Sequence, residues 1–169
     1  TPAQATGAAA SAKSGGVAIL VPSAVLITSH SNGGHHRLAH AIVPLTRTTC
    51  LNALNVYAHD SGSCDQYERI MSLFEDIQGR IKSLGRVNWV IGGDLNQDPG
   101  EPIPGWKLPA TIVDSGAPTQ THGGNLDWFL LGGTWKHTRV LQTEVHPFED
   151  HSAIMIKLEQ ATCIDLGKS

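Results

Sequence analysis

The sequence predicts an α+β domain, and three observations carry that reading. The first half alternates short apolar runs with turn residues, the pattern of a β-meander. Ser61 to Leu84 sets Tyr67, Ile70, Met71, Phe74, Ile77, Ile81 and Leu84 at three- and four-residue steps, the period of a helix with one buried face. The later strands carry acids at their ends: Asp94, Asp127 and Asp150.

Composition bounds the rest. A chain of 169 residues fits one domain and can bury a real core. With 40% hydrophobic and 16% charged residues it reads as globular rather than disordered. No apolar run approaches a membrane span, and the first residues lack the charged start and long apolar core of a signal peptide. An intracellular or nuclear setting is therefore the expectation. The chain opens at Thr1 and reads as beginning at a fragment end. Net charge is −3, from 12 Lys+Arg and 15 Asp+Glu, with no basic block. That argues against tight non-specific nucleic-acid binding, without excluding a nuclease that screens phosphate with a metal. The odd cysteine count, Cys50, Cys64 and Cys163, favours reduced thiols.

In order, residues 1–14 are rich in Ala, Ser, Thr and Gly and read as a flexible lead-in. The domain runs over 15–160, and 161–169 is a tail. Val17 to Val21 is an apolar strand stopped by Pro22, and Ala24 to Thr28 continues it after a bend. Asn32-Gly33-Gly34 marks a turn. His36 to Leu45 and Thr48 to Ala58 are strands, the second with Leu51, Ala53, Asn55 and Tyr57 on one face. Ser63 with Gln66 suits a capping box at the head of the helix, and Gly85 suits its C-terminal cap. Val87 to Ile91 is a strand of β-formers. Gly92 and Gly93 after it permit a sharp turn and a close approach by a ligand or another backbone. Gln97 to Gly105, rich in proline, is a loop, Trp106 to Val113 holds a short strand, and Ser115 to Gly124 is a second loop. Leu126 to Leu131, His137 to Glu144 and Ser152 to Leu158 are the last strands. The final one sets Ala153 and Met155 against Ile154, Ile156 and Leu158.

Asp94 and Asn96 follow the Val87 strand. In an extended chain they point the same way and present a carboxylate beside an amide, as a water-orienting base beside a hydrogen-bonding group. The plainer reading is a pair of turn residues. Asp127 lies on an apolar strand, where a carboxylate is costly unless paired, and a histidine is its natural partner. Asp150-His151 supplies an acid and an imidazole before the last strand. His35, His36 and His40 invite a metal reading. In a strand, His36 and His40 lie too far apart, so they read as solvated strand or turn histidines. Arg37 reads as a surface charge, with contact to phosphate as the alternative, and Thr121 and His122 as loop residues, with contact to ligand as theirs.

Four motifs in this order resemble the endonuclease/exonuclease/phosphatase superfamily, which includes deoxyribonuclease I. They are Asn55-Val56-Tyr57-Ala58, Gly93-Asp94-Leu95-Asn96, Leu126-Asp127-Trp128 and Asp150-His151-Ser152. Gly15-Gly16-Val17-Ala18-Ile19-Leu20-Val21 looks most like the non-LTR retrotransposon endonucleases of that superfamily. The resemblance covers about Gly15 to Leu158. It implies a four-layer α/β/β/α sandwich of two mainly antiparallel sheets, and phosphodiester hydrolysis with Mg²⁺ or Mn²⁺. By resemblance Asp94 orients or deprotonates the attacking water, and Asn96 hydrogen-bonds that water or a phosphate oxygen. His151 contacts the scissile phosphate with Asp127 fixing its ring, and Tyr57 gives phosphate a phenolic hydrogen bond. Asp150, with Asp94, lies at or near the metal.

The family opens with a strand bearing Asn and another bearing its metal-binding Glu. No counterpart precedes Gly15. The expectation is a fold lacking its opening strands, with weak metal binding, apolar surface and unpaired edges. Three functional readings stay open: an endonuclease on DNA, a phosphatase or phospholipase on small or lipid phosphoesters, and a non-catalytic fragment or remnant.

Overall fold

The computed structural model describes residues 4–5, 13–14, 17–25, 27, 29–31, 36–59, 65–85, 87–142 and 150–160. The expected Asn32-Gly33-Gly34 turn, His35, the capping Ser63 and the 161–169 tail lie outside them.

The strands are β1 (Gln4–Ala5), β2 (Lys13–Ser14), β3 (Ser29–Ser31), β4 (Leu38–Pro44), β5 (Cys50–Tyr57), β6 (Trp89–Asp94), β7 (Thr111–Val113), β8 (Asp127–Gly132), β9 (Trp135–Gln142) and β10 (Ile154–Gln160), with helix α1 (Gln66–Leu84) between β5 and β6. The main sheet has six strands in the order β3-β4-β5-β6-β8-β7. Its β5–β6 pair is parallel and the others are antiparallel. A parallel pair needs a crossover connection, and α1 supplies it. β9 and β10 form a separate antiparallel pair, and β1 and β2 pair over two residues each inside the stretch read as a lead-in. Among the described residues no helix is long and apolar enough to cross a membrane.

Alternation along the strands sorts side chains onto two faces. Leu54, Val56, Trp89, Ile91, Trp128 and Leu130 join Ile70, Leu73, Phe74, Ile77 and Ile81 of α1 in one buried cluster. Trp106 packs on it, edge-on to Phe74 and Trp89 at 5.9 and 5.8 Å between ring centres. Buried Gln78 pins the proline-rich loop to the helix: it donates to the Gly105 carbonyl at 2.8 Å and accepts from the Lys107 N–H at 2.7 Å. Gly85 ends the helix at φ 77°, a backbone that favours glycine. On β10 the expected alternation holds, with Met155 exposed and Ile154, Ile156 and Leu158 half-buried.

Several expectations need correction. Val17 to Val21 forms no strand, and a turn follows at Pro22, whose carbonyl accepts from the Val25 N–H at 2.8 Å. Proline lacks the ladder donor and suits such a turn; of the expected Ala24 to Thr28 continuation, residues 26 and 28 lie outside the described residues. The N-cap of α1 is Asp65, with no side-chain capping bond. On β5 the expected grouping holds: Leu51, Ala53, Asn55 and Tyr57 share the half-buried face, opposite buried Asn52, Leu54 and Val56. Tyr67, placed in the helix stripe, is 62% exposed, while Leu73 is buried. Gly92 and Gly93 belong to β6 itself rather than to a turn. Their other expected use holds: a Cβ on Gly92 would strike the Phe129 ring, and one on Gly93 the Val56 carbonyl.

Candidate active site

The parallel and antiparallel registers bring three site residues level with one another. Tyr57 at the end of β5 pairs with Asp94 at the end of β6, and Asp94 pairs with Asp127 at the start of β8. All three alternate with buried residues that face α1, so they lie on the opposite face of the sheet.

The chain is not extended beyond Asp94. Asn96 has φ 48°, and its backbone N–H donates to Asp94 Oδ1 at 2.9 Å. Asp94 and Asn96 therefore meet through a side-chain turn, not through strand periodicity. Asn96 donates from Nδ2 to the Ala58 carbonyl at 3.1 Å, and Trp128 holds the same loop by donating to the Gln97 carbonyl at 2.8 Å.

A short backbone pairing delivers His151. The Ser152 N–H donates to the Thr119 carbonyl at 2.7 Å and the Thr121 N–H to the Asp150 carbonyl at 2.9 Å. His151 Nδ1 then lies 2.6 Å from Asp127 Oδ2, the acid–imidazole pair the sequence anticipates. Thr119 completes the arrangement. Its hydroxyl, fully buried, donates to Asp127 Oδ2 at 2.8 Å and accepts from the Leu126 and Asp127 N–H groups at 3.0 Å. Sequence reasoning misses Thr119 and stops instead at Thr121 and His122, which are exposed. A position eight residues before Asp127 carries no local signal, because the loop between them sets the contact.

Arg37 is not the surface charge that the sequence suggests. It is only 7% exposed and donates to the Ala58 carbonyl at 2.9 Å. Leu38 pairs with Val56, and the Tyr57 N–H donates to the Arg37 carbonyl at 3.0 Å. That register sets Arg37 against Tyr57, which is why a position next to a turn becomes buried.

The electrostatics set two groups apart. Burial pushes the Asp94 carboxyl above the ordinary 3.8; the Asn96 N–H opposes this, Asp127 adds to it, and His151 and Arg37 oppose it. Burial lowers His151, but the hydrogen bond and charge of Asp127, with Asp94 and Asp150, outweigh it and raise the imidazole above the ordinary 6.5. An ionised Asp94 can take a proton from water, and a protonated His151 can donate to an anionic oxygen.

The resemblance implies a divalent cation. Among the described residues no three His, Cys, Asp or Glu side chains gather to hold one. Asp127 is committed to Thr119 and His151. Asp94 and Asp150 remain, too few for a complete cation site from the described residues alone. Among the described residues His40 belongs to no ligand cluster: its Nε2 lies 3.3 Å from Asn52 Oδ1, and burial lowers its pKa.

No protein-family model and no curated protein sequence matches the chain. Solved structures do. A humanized TDP2 from D. rerio is 15% identical, with TM-score 0.61 over 80% of this chain and 68% of that one. Truncated TDP2 from Caenorhabditis elegans is 14% identical, with TM-score 0.55 over 79% and 66%. An endonuclease/exonuclease/phosphatase from Bacteroides vulgatus is 14% identical, with TM-score 0.59 over 73% and 55%. The chain thus spans about half to two thirds of the length of the structures it matches. These likenesses show that the chain has the endonuclease/exonuclease/phosphatase, or deoxyribonuclease I-like, fold.

Proposed function

We propose that this domain hydrolyses phosphoesters, with DNA as the preferred substrate and endonucleolytic cleavage as the reaction. The observation that carries the reading is the Thr119–Asp127–His151 chain of hydrogen bonds, whose Asp127 pairs with Asp94 across the sheet. A phosphodiester repels its nucleophile, so its cleavage needs an oriented water and charge neutralisation at the phosphate. Asp94 is the group to orient or deprotonate the water, and Asn96 to hydrogen-bond it or a phosphate oxygen. His151, whose charged form Asp127 favours, stabilises the phosphate oxygens. Tyr57 adds a phenolic hydrogen bond.

A second reading, hydrolysis of small or lipid phosphoesters, is favoured by the net charge of −3 and the lack of a basic block. The test offers supercoiled plasmid and bis-p-nitrophenyl phosphate to the same protein, with Mg²⁺, without it, and with EDTA. Nicking of plasmid supports the nuclease; turnover of the small diester alone supports the second reading. Turnover of neither, by folded protein, contradicts both. Loss of turnover in EDTA establishes the metal dependence that the resemblance implies.

A further inference from the structure

Arg37 is a buried cation that makes no ion pair among the described residues. Its Nε is buried without a hydrogen-bond partner. A charge in that setting is costly unless it is compensated. Its contacts go to one place. Nη1 donates to the Ala58 carbonyl at 2.9 Å and the Tyr57 carbonyl at 3.3 Å. The guanidinium lies over the Tyr57 ring, 4.7 Å from its centre, in a cation–π arrangement. The Ala58 carbonyl is also the acceptor for Asn96 Nδ2 at 3.1 Å.

We infer that Arg37 is a positioning residue: by stacking on Tyr57 and sharing the Ala58 carbonyl with Asn96, it fixes two groups of the candidate site at once. It does not touch substrate. Lysine cannot replace it, because a point ammonium lacks the planar fork and the stacking face. The kinetic part of this inference rests on the phosphoesterase reading; the geometric part does not.

The experiment compares wild type with Arg37→Lys and Arg37→Met, alone and combined with Tyr57→Phe. Ring signals of ¹³C-labelled tyrosine report the geometry, with exposed Tyr67 as internal reference. In either Arg37 variant the Tyr57 signals are expected to shift or broaden while those of Tyr67 stay. Unchanged Tyr57 signals in folded Arg37→Lys overturn the inference, and that arm decides even if Arg37→Met fails to fold. Where wild type turns over phosphoester, kcat is expected to fall roughly tenfold to a hundredfold with KM nearly constant, as for misplacement of reacting groups. In the Tyr57→Phe background the further loss should be smaller, since the two residues act together. A risen KM with unchanged kcat overturns it in favour of direct phosphate contact. A wild type without turnover counts against the phosphoesterase reading alone, leaving the ring signals to judge Arg37.

Discussion

The two faces of the main sheet are made by the same strands and follow different rules. Toward α1, Leu54, Val56, Trp89, Ile91, Trp128 and Leu130 are buried and apolar. On the other face the alternate positions, Ala53, Asn55, Tyr57, Val90, Gly92, Asp94, Asp127 and Phe129, are half-buried, and many are small or polar. One face is held by removal of apolar surface from water. The other is held at its end by directed hydrogen bonds, those among Thr119, Asp127 and His151 and that from Arg37 to the Ala58 carbonyl. On that face a hollow of about 340 Å³ runs between Ala18, Ile19, Ala53, Val90, Gly92 and Phe129. Substitutions on the two faces should therefore fail differently: the first in stability, the second in activity.

The largest stability effect should come from the helix-facing side. Trp128→Ala is expected to destabilise by about 3–5 kcal/mol, from lost burial and a cavity, and it also removes the indole donor to the Gln97 carbonyl. Urea unfolding measures it. A loss below about 1 kcal/mol would erase the distinction between the faces.

Thr119→Val probes the border between them. It keeps the shape but strips a hydroxyl that serves Asp127 and two backbone N–H groups. A loss of about 1–3 kcal/mol is expected for leaving buried polar groups unpaired, together with weakened activity, and Thr119→Ser should recover most of both. Equal defects in the serine and valine variants would assign Thr119 to packing.

The smallest effect expected is a displacement in pH. Burial lowers His151, but the hydrogen bond and charge of Asp127 outweigh it and hold the imidazole above 6.5. The charged pair is fully formed below 6.5 and is lost as pH rises through the raised value, so activity that needs imidazolium should fall on that side. Asp127→Asn should move the basic limb of the pH–rate profile to lower pH. A limb that stays in place would remove His151 from the proton chemistry.

Much of this was legible from the chain. Period-3.6 spacing marks α1 because its packing is local, and Asp127 on an apolar strand called for a histidine partner, met by His151. Period-two reasoning failed where tertiary geometry intervened. Asn96 leaves the strand through a positive-φ turn, and Arg37 is buried by a cross-strand neighbour rather than by its local sequence. Thr119 acts across a loop, so no spacing rule reveals it.

On the proposed reading, the strand-end cluster performs phosphoester hydrolysis while the helix-facing core only supports it. The most direct measurement is plasmid nicking by wild type beside Asp94→Asn and His151→Ala, each shown by thermal melting to be as stable as wild type. Wild type is expected to nick, and either variant to lose roughly a hundredfold to ten-thousandfold, the range for removing a positioned acid or base. Wild-type rates in both variants would contradict that reading.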